Sequence, residues 1–216
     1  TRSITEAILR AARAPRVLIN GSAQGYYGDR GDEELTEESP PGSDFLARVC
    51  VDWELEARRA SPASRVVLLR TAIVLDRACG ALPRMIQPFK FFAGGPLGSG
   101  KQFWSWIHLD DWVALALLPL SDERVHGPVN LGSPHPVTNA EFTAAIGQVL
   151  HRPGWFRAPS IALRAGLGEM ADALLLSSTR MKPAQALGLG YRFRYPELVP
   201  ALEAVLRERQ ASSVRH

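Results

Sequence analysis

The feature that most constrains the fold is a short apolar run that ends in small residues and a tyrosine pair. It covers Arg16 to Asp29, Arg-Val-Leu-Ile-Asn-Gly-Ser-Ala-Gln-Gly-Tyr-Tyr-Gly-Asp. A buried parallel strand of a doubly wound sheet ends in this way, and ligands bind outside the carboxyl ends of such strands. Fifteen residues precede this strand and none of them is glycine, so no glycine-rich phosphate turn is expected ahead of it.

The first half of the chain alternates between predicted helices and strands. Apolar residues at helical spacing predict a helix over 4–12, and Asp44 is expected to cap a helix that runs to about Arg59. The apolar stripe predicted for that second helix is Phe45, Leu46, Val49, Cys50, Trp53 and Ala57. Arg65 to Leu75 is a near-continuous apolar run, which predicts a second strand buried on both faces. Together these elements form a βαβ unit and predict an α/β fold.

The second half continues the alternation and then becomes mostly helical. The predicted elements are a helix over Leu82–Phe89, a glycine-rich loop over 93–102, an extended aromatic segment over Phe103–His108, a helix from Asp110 or Asp111 that ends near Pro119, a strand over Gly127–Gly132, a helix from Thr138 or Asn139 to Leu150, and a final helix over Glu197–Arg207. Residues 29–44 are acidic and rich in Pro, Gly and Ser, so we predict a surface loop with solvated carboxylates.

Charge and cysteine usage narrow the class of protein. The formal net charge is +3 and no block of five like charges occurs, so we expect no nucleic-acid partner. Cys50 and Cys79 lie far apart, outside any zinc-like spacing, and predict free thiols in a reducing cytosol. No run of eighteen apolar residues and no signal-peptide pattern are present, so we expect a cytoplasmic chain without a membrane partner. No cluster of metal ligands is predicted.

One motif imitates a phosphate-binding loop. Gly95 to Gln102 match the spacing Gly-x4-Gly-Lys, but Gln102 stands where Ser or Thr should reach magnesium. The following residues, Phe-Trp-Ser-Trp-Ile-His, predict an extended aromatic segment, whereas a phosphate needs the N-terminus of a helix there. We therefore predict no phosphate site at this loop.

Several segments in a fixed order carry a family resemblance. They are Gly-Ser-Ala-Gln-Gly-Tyr-Tyr-Gly (21–28), Leu-Thr-Glu-Glu-Ser-Pro-Pro (35–41), Leu-Leu-Arg-Thr-Ala-Ile-Val-Leu (68–75), Gly-Gly-Pro-Leu-Gly-Ser-Gly-Lys-Gln (94–102) and Trp-Ile-His-Leu-Asp-Asp (106–111). With them, the chain resembles the epimerase-like atypical short-chain dehydrogenase/reductases, a sugar-nucleotide-epimerase-like branch of the extended family. The resemblance implies that residues 1–153 are the C-terminal portion of an NAD(P)-binding Rossmann-type domain. Residues 154–216 resemble that family's small, mostly helical C-terminal domain of unknown function.

The resemblance also implies a cofactor and a reaction class. Family members bind NADP through a strand, a glycine-rich turn and a helix, and that segment is absent from these 216 residues. We therefore expect a fragment or truncated form of an NADP-dependent epimerase-like oxidoreductase that is inactive alone. Its substrate is an unknown small molecule, with nucleotide-linked compounds among the options. The alternative is a non-catalytic cofactor-sensing or interaction protein.

The family's catalytic pattern is changed in this chain. Extended members use a Ser or Thr after the strand and a Tyr-x-x-x-Lys on the next helix, where the lysine lowers the pKa of the tyrosine. The positions matching that tyrosine and lysine are Leu46 and Cys50. The resemblance leaves Ser22 or Ala23 at the serine position and Tyr27, with Tyr26 beside it, as a candidate proton donor.

Further residues are expected around the cofactor and the substrate. Ala23, Cys50 and Thr71 are predicted to contact the nicotinamide side of the cofactor, with Arg70 a weaker candidate. Residues predicted to contact substrate are Trp104, Trp106, His108 and Lys101; Arg180 and Lys182 are further cations that could meet an anion. If another chain supplies the remaining sheet strands, the strand that begins at Arg16 presents an exposed edge and the protein self-associates.

Overall fold

A short parallel sheet forms the centre of the fold. The computed structural model describes residues 1–156, 158–161 and 175–207. In it, β3 (Arg65–Thr71) pairs in parallel with β1 (Val17–Ala23) on one side and with β7 (Gly127–Leu131) on the other. The remaining strands are β2 (Glu34–Leu35), β4 (Ile73–Leu75), β5 (Phe103–Trp104), β6 (Trp106–His108), β8 (Val137–Thr138) and β9 (Arg180–Met181). The helices are α1 (Arg2–Arg10), α2 (Phe45–Arg58), α3 (Leu82–Lys90), α4 (Leu109–Ser121), α5 (Asn139–Leu150), α6 (Ala184–Gly188) and α7 (Leu198–Arg207).

Helix α2 begins as predicted, but its buried face differs from the predicted stripe. The Asp44 carboxylate accepts a hydrogen bond from the Ala47 backbone N–H at 2.8 Å and caps the helix. The residues that α2 buries are Ala47, Cys50, Glu54 and Ala57. Phe45 is 69% exposed and Trp53 49% exposed. The stripe prediction was wrong at these two positions because a buried ion pair, described below, orients the helix toward Glu54.

The strand predicted over residues 65–75 is two strands. At Ala72 the backbone leaves the central sheet: the Ala72 N–H donates to Leu131, whereas the Ile73 N–H donates to the Ser105 carbonyl. Strand β4 then pairs in parallel with β6, and β5 pairs antiparallel with β8. An unbroken apolar run carries no signal for such a change of partner, since both strands are buried.

The acidic loop is also not uniformly solvated. Glu37 is buried, and its carboxylate accepts hydrogen bonds from the backbone N–H groups of Asn130, Ala184 and Gln185 at 3.1–3.2 Å. Burial raises the pKa of Glu37, and these donors oppose the rise. The loop is held further by β2, which pairs in parallel with β9. The prediction of solvated carboxylates was wrong for Glu37, because the folded tail brings backbone donors to it.

Helix α4 begins at Leu109, one residue before the earlier of the two predicted starts. His108 is the N-cap, and its Nδ1 accepts from the Asp110 N–H at 3.1 Å. The cap is therefore a histidine, and the two Asp residues lie in the first turn of the helix. Asp111 instead holds a distant segment, as it accepts from the Tyr191 hydroxyl and from the backbone N–H groups of Arg194 and Tyr195 at 2.8–2.9 Å.

The last described helix packs into a core with earlier elements. Leu198, Ala201, Leu202 and Val205 of α7 are buried with Phe142 and Ile146 of α5 and with Phe89 of α3. Helix α5 carries a reciprocal cap between Thr138 and Glu141. The mostly helical character predicted for the tail falls partly on residues outside those described. The domain boundary at residue 153 stays a prediction.

Three further properties concern binding and redox chemistry. Across the described ranges, no helix is long and apolar enough to cross a membrane, and no group of His, Cys, Asp or Glu side chains could hold a metal ion. Both cysteines are free thiols; Cys50 is buried and Cys79 is exposed.

The Asp111 contacts predict a stability effect. Asp111→Ala should lower the free energy of unfolding by about 3 kcal/mol, because two backbone N–H groups and a tyrosine hydroxyl lose a charged acceptor. Urea unfolding followed by circular dichroism measures this loss. The matched control is the neighbouring Asp110→Ala, which removes an exposed pair with Arg194 and should change stability little. Equal effects of the two variants would contradict the assignment.

Candidate functional site

A cleft of about 350 Å³ lies at the carboxyl ends of β1 and β3, between these strands and α2. Its lining comes from the end of β1 and the turn after it, from α2, from the β3–β4 junction, from β5 and from the segment before β9. The lining residues are Ala23, Gln24, Gly25, Gly28, Asp44, Leu46, Val49, Cys50, Trp53, Thr71, Ala72, Ile73, Phe103, Trp104, Ser177 and Thr179. This is where ligands bind in open parallel sheets.

The turn after β1 ends in a glycine, Gly28, whose backbone lies close to the start of α2. Residues Gln24–Tyr27 form one 3-10 turn, which ends at Gly28 with φ of +66°. A Cβ atom at Gly28 would lie 2.7 Å from Oδ2 of Asp44, the N-cap of α2. Glycine is therefore required there on both counts, backbone conformation and space. The turn and the start of α2 are thereby held against each other.

The three residues predicted to contact a cofactor all line this cleft. Ala23 ends β1, Thr71 ends β3 and Cys50 faces them from α2. The Thr71 hydroxyl accepts from the Trp112 indole N–H at 3.2 Å. Burial raises the pKa of the Cys50 thiol, so at neutral pH the thiol keeps its proton. The structure brings these three residues together; their contact with a cofactor stays a prediction.

Gln24 is a lining residue that sequence reasoning missed. Its amide Oε1 is buried and has no hydrogen-bond partner in the described part of the chain. A buried acceptor without a donor costs free energy. A glutamine directly after the strand was the available signal, but nothing in the sequence says which way its side chain points.

Ser22 and Ala23 face opposite ways, as neighbours in a strand must. The Ser22 hydroxyl donates to Oε1 of the buried Glu54 at 2.9 Å, and Ser22 is not among the residues that line the cleft. Ala23, which lines it, carries no hydroxyl. Of these two residues, Ala23 is the one that lines the cleft. The catalytic role predicted for Ser22 stays a prediction that this orientation does not favour.

Tyr27 is enclosed in the protein. It has no exposed surface, and its hydroxyl donates to Oδ1 of Asn130 at 2.6 Å and lies 3.0 Å from Nη1 of Arg70, which donates to it. Burial raises the pKa of Tyr27 to about 12, against the lowering effect of Arg70. A phenol with these contacts is suited to holding the fold together. Its catalytic role stays a prediction without a contact in the cleft.

Beneath the cleft lies a buried ion pair. The Arg70 guanidinium donates to both carboxylate oxygens of Glu54 at 2.8 and 2.9 Å, and both side chains are at most 3% exposed. The Tyr26 ring covers the guanidinium, with 3.4 Å from its carbon to the ring centroid. The fork-to-fork geometry and the Ser22 hydroxyl give this charged pair partners on several sides. Arg70 thus supports the floor of the cleft from below.

The four predicted substrate residues separate in the structure. Trp104 lines the cleft. Trp106 is fully buried, and its indole N–H donates to the His135 carbonyl. His108 caps α4, stacks on Tyr195 and lines a different cavity of about 500 Å³. Lys101 is exposed and lines neither cavity.

The other cations that were predicted to meet an anion are engaged elsewhere. Lys182 pairs with Glu34 at 2.7 Å. Arg180 lies over the Phe103 ring, 5.0 Å from its centroid, and donates to the Asp32 carbonyl. The glycine-rich loop is followed by strand β5, as predicted, and Gln102 binds the carbonyls of Leu97 and Leu175. Gln102 therefore acts as a structural tie.

A parallel α/β sheet with a cleft at the carboxyl ends of its strands places the chain among the open-sheet α/β proteins, which bind ligands at that edge. Comparison with known families identifies it further. Residues 1–132 match the NAD dependent epimerase/dehydratase family, and residues 158–205 match a domain of unknown function, DUF1731. The chain belongs to the NAD dependent epimerase/dehydratase family, as its motifs predicted.

Relatives and solved structures agree with this assignment. The chain is 42% identical over 197 residues to the chloroplastic SDR39U1 homolog of Arabidopsis thaliana and 45% identical over 186 residues to the epimerase family protein Mb2239 of Mycobacterium bovis. These matches cover 91% and 86% of this chain but 56% and 62% of the relatives, so the chain spans less than two thirds of their length.

Two solved structures are similar to the fold over nearly the whole chain. Human SDR39U1 (isoform 2), crystallised with NADPH, matches with a TM-score of 0.89 and 33% identity over 94% of this chain and 70% of its own. A nucleoside-diphosphate sugar epimerase from Corynebacterium glutamicum matches with a TM-score of 0.76 and 33% identity over 99% of this chain and 43% of its own. The predicted Rossmann-type α/β fold is confirmed.

The buried ion pair predicts a large effect of removing one partner. Arg70→Met should lower the free energy of unfolding by about 3–5 kcal/mol, because it leaves the Glu54 carboxylate buried without its main partner. The double variant Glu54→Gln/Arg70→Met should lose less than Arg70→Met alone. Arg59→Met, which removes an exposed pair with Glu56, serves as the control. Chemical denaturation measures these variants and the single Glu54→Gln, and a double-variant loss equal to the sum of the two single losses would contradict the coupling.

The raised pKa of Tyr27 predicts an alkaline loss of stability. A folded-state pKa of about 12 against 10.0 when unfolded means that stability is complete below pH 10 and falls by about 2–3 kcal/mol as pH rises to 12. Tyr191, whose pKa is raised by burial and by Asp111, adds to this fall. Tyr27→Phe should therefore remove part of the slope of unfolding free energy against pH. An unchanged slope would contradict the prediction.

Proposed function

We propose that this chain forms the nicotinamide side of an NADP(H) site in an epimerase-like oxidoreductase. The observation that carries the proposal is the cleft at the carboxyl ends of β1 and β3, which brings Ala23, Cys50 and Thr71 together. The NADPH in the similar human structure supports the choice of cofactor.

The residues of the cleft suit a flat ring and a hydride transfer. Bound NADPH would supply the hydride. Ala23 and Gly25 leave room beside the strand end, and the apolar side chains of Leu46 and Val49 exclude water. The Thr71 hydroxyl and the protonated Cys50 thiol are the groups available to hold the ring and its ribose.

We further propose that the 216-residue chain does not turn over alone. It contains no Gly-x-Gly-x-x-Gly turn after a strand, so it offers no backbone cradle for the pyrophosphate. Most of the affinity for a dinucleotide would then be missing, while the nicotinamide half of the site is built.

Titration with the two halves of the cofactor tests this division. We expect reduced nicotinamide mononucleotide to bind weakly to the chain by saturation-transfer NMR, adenosine 2′,5′-bisphosphate not to bind, and NADPH not to be oxidised. Ala23→Phe should abolish the mononucleotide signal by filling the cleft. Ala114→Phe, on the exposed face of α4, should leave it unchanged.

The opposite pattern overturns the proposal. Binding of the adenosine bisphosphate but not of the nicotinamide mononucleotide would show that the chain binds the adenosine half of the cofactor and not the nicotinamide half. A mononucleotide signal that persists in Ala23→Phe would place the ligand outside this cleft, and absence of any signal would remove the support altogether.

A second candidate function is cofactor sensing without turnover. The observation in its favour is that neither tyrosine nor lysine is among the described lining residues, and Leu46 and Cys50 stand where the family pattern has them. With the nucleotide-binding segment of a family member joined to this chain, a carbonyl panel separates the two. NADPH binding without oxidation on any compound favours sensing, and oxidation favours the enzyme.

The central sheet also supports a proposal on self-association. Among the described residues, β1 pairs with β3 along one edge and with no strand along its other edge. Beside it, α4 exposes an apolar row, Leu109, Val113, Leu117 and Leu120. An open edge beside apolar surface favours pairing with another chain. Light scattering should therefore give a mass above the monomer's, and a clean monomer would count against the proposal.

A further inference from the structure

We infer that the substrate part of the cleft binds a neutral, largely apolar small molecule and not a nucleotide-diphosphate sugar. The inference rests on the proposed function and concerns the walls of the same cleft. It is carried by the kind of side chain that faces the space and by the absence of a cation among the described residues there.

Apolar side chains line both sides of the cleft, beside the polar residues Gln24, Thr71, Ser177 and Thr179. Helix α2 contributes Leu46, Val49 and the indole of Trp53. The opposite side contributes Phe103 and Trp104 of β5. Trp104 is 4% exposed and packs edge-on against Phe142, with 5.5 Å between ring centroids, so its position is fixed by the core. Rigid apolar walls of this kind favour hydrophobic ligands.

Among the described residues that line the cleft, the charged one is Asp44, an anion. It accepts the Ala47 N–H at 2.8 Å, so the positive end of α2 is already neutralised by a carboxylate of the protein. A diphosphate bound beside it would gain no attraction from this helix end, and its recognition would need cations.

Three cations that the described part of the chain places on neighbouring elements are engaged with other groups. Arg70 lies under the Tyr26 ring and pairs with Glu54. Arg180 lies over the Phe103 ring and donates to the Asp32 carbonyl. Lys182 pairs with Glu34. Within 1–156, 158–161 and 175–207, no arginine or lysine lines the cleft. The described lining thus offers no cation to the two phosphates of a nucleotide-diphosphate sugar, which favours neutral ligands in the substrate part of the cleft.

Ligand-observed NMR on the 216-residue chain tests the inference directly. The neutral ketone and alcohol pair acetophenone and 1-phenylethanol should give saturation-transfer signals, and UDP-glucose and UDP should give none. Leu46→Arg places a cation on the cleft wall. This variant should raise the dissociation constant of the neutral pair at least five-fold and gain binding of UDP-glucose.

Leu55→Arg is the matched control, since Leu55 lies on the exposed face of the same helix and is 58% exposed. It should behave as the wild type. Val49→Lys repeats the test at a second lining position if Leu46→Arg does not give a cooperative thermal transition. UDP-glucose binding to the wild-type chain overturns the inference. Binding of the neutral pair that ignores both Leu46→Arg and Val49→Lys also overturns it, because the ligand would then lie in another cavity.

The titration with nicotinamide mononucleotide and the titration with the neutral pair test different claims, so either claim can fail while the other holds. Loss of the nicotinamide mononucleotide signal with retained, Leu46-dependent binding of the neutral pair would remove the proposed cofactor and keep the apolar ligand site. A normal mononucleotide signal together with binding of UDP-glucose to the wild-type chain would keep the proposed cofactor and remove the apolar ligand site.

Discussion

The fold around the cleft depends on the buried pair between Arg70 and Glu54. Arg70 sits in the central strand β3 and Glu54 in α2, so the two hydrogen bonds fix the helix against the sheet. Leaving either charge unpaired in a buried position would cost several kcal/mol. Because both partners are required, the register of α2 is set, and with it the positions of Leu46 and Cys50 on the cleft wall.

The same pair separates the structural polar groups from those that face a ligand. Ser22, Tyr26 and Tyr27 all turn toward Arg70 and Glu54, and their polar or aromatic groups complete the shell around the charges. The next residues in the turn, Gln24 and Gly25, face the cleft. Leu46 and Cys50, the positions that the family resemblance matches to the tyrosine and the lysine, line the same cleft as Ala23.

Sequence patterns predicted the strands of the central sheet, the Asp44 cap and the family because these depend on local periodicity and motif order. The Asp44 cap and the extended segment before α4 are examples. The errors lie where tertiary contacts override the local pattern. The break at Ala72 comes from a change of strand partner, and the burial of Glu37 comes from backbone donors more than ninety residues away. His108 and Trp106 could be named as site candidates, but burial assigns them to a helix cap and to the core.

By itself, the sequence determined the α/β class, the family and the lack of a glycine-rich turn in these 216 residues, because each follows from residues adjacent in the chain. The tertiary structure decided which side chains share the cleft. Neighbouring residues of a strand face opposite sides, so either Ser22 or Ala23 faces the cleft. Ser22 turns away from it because its hydroxyl donates to Glu54, the partner of Arg70. The absence of a cation among the described cleft residues likewise follows from ion pairs between distant segments, which no local pattern encodes.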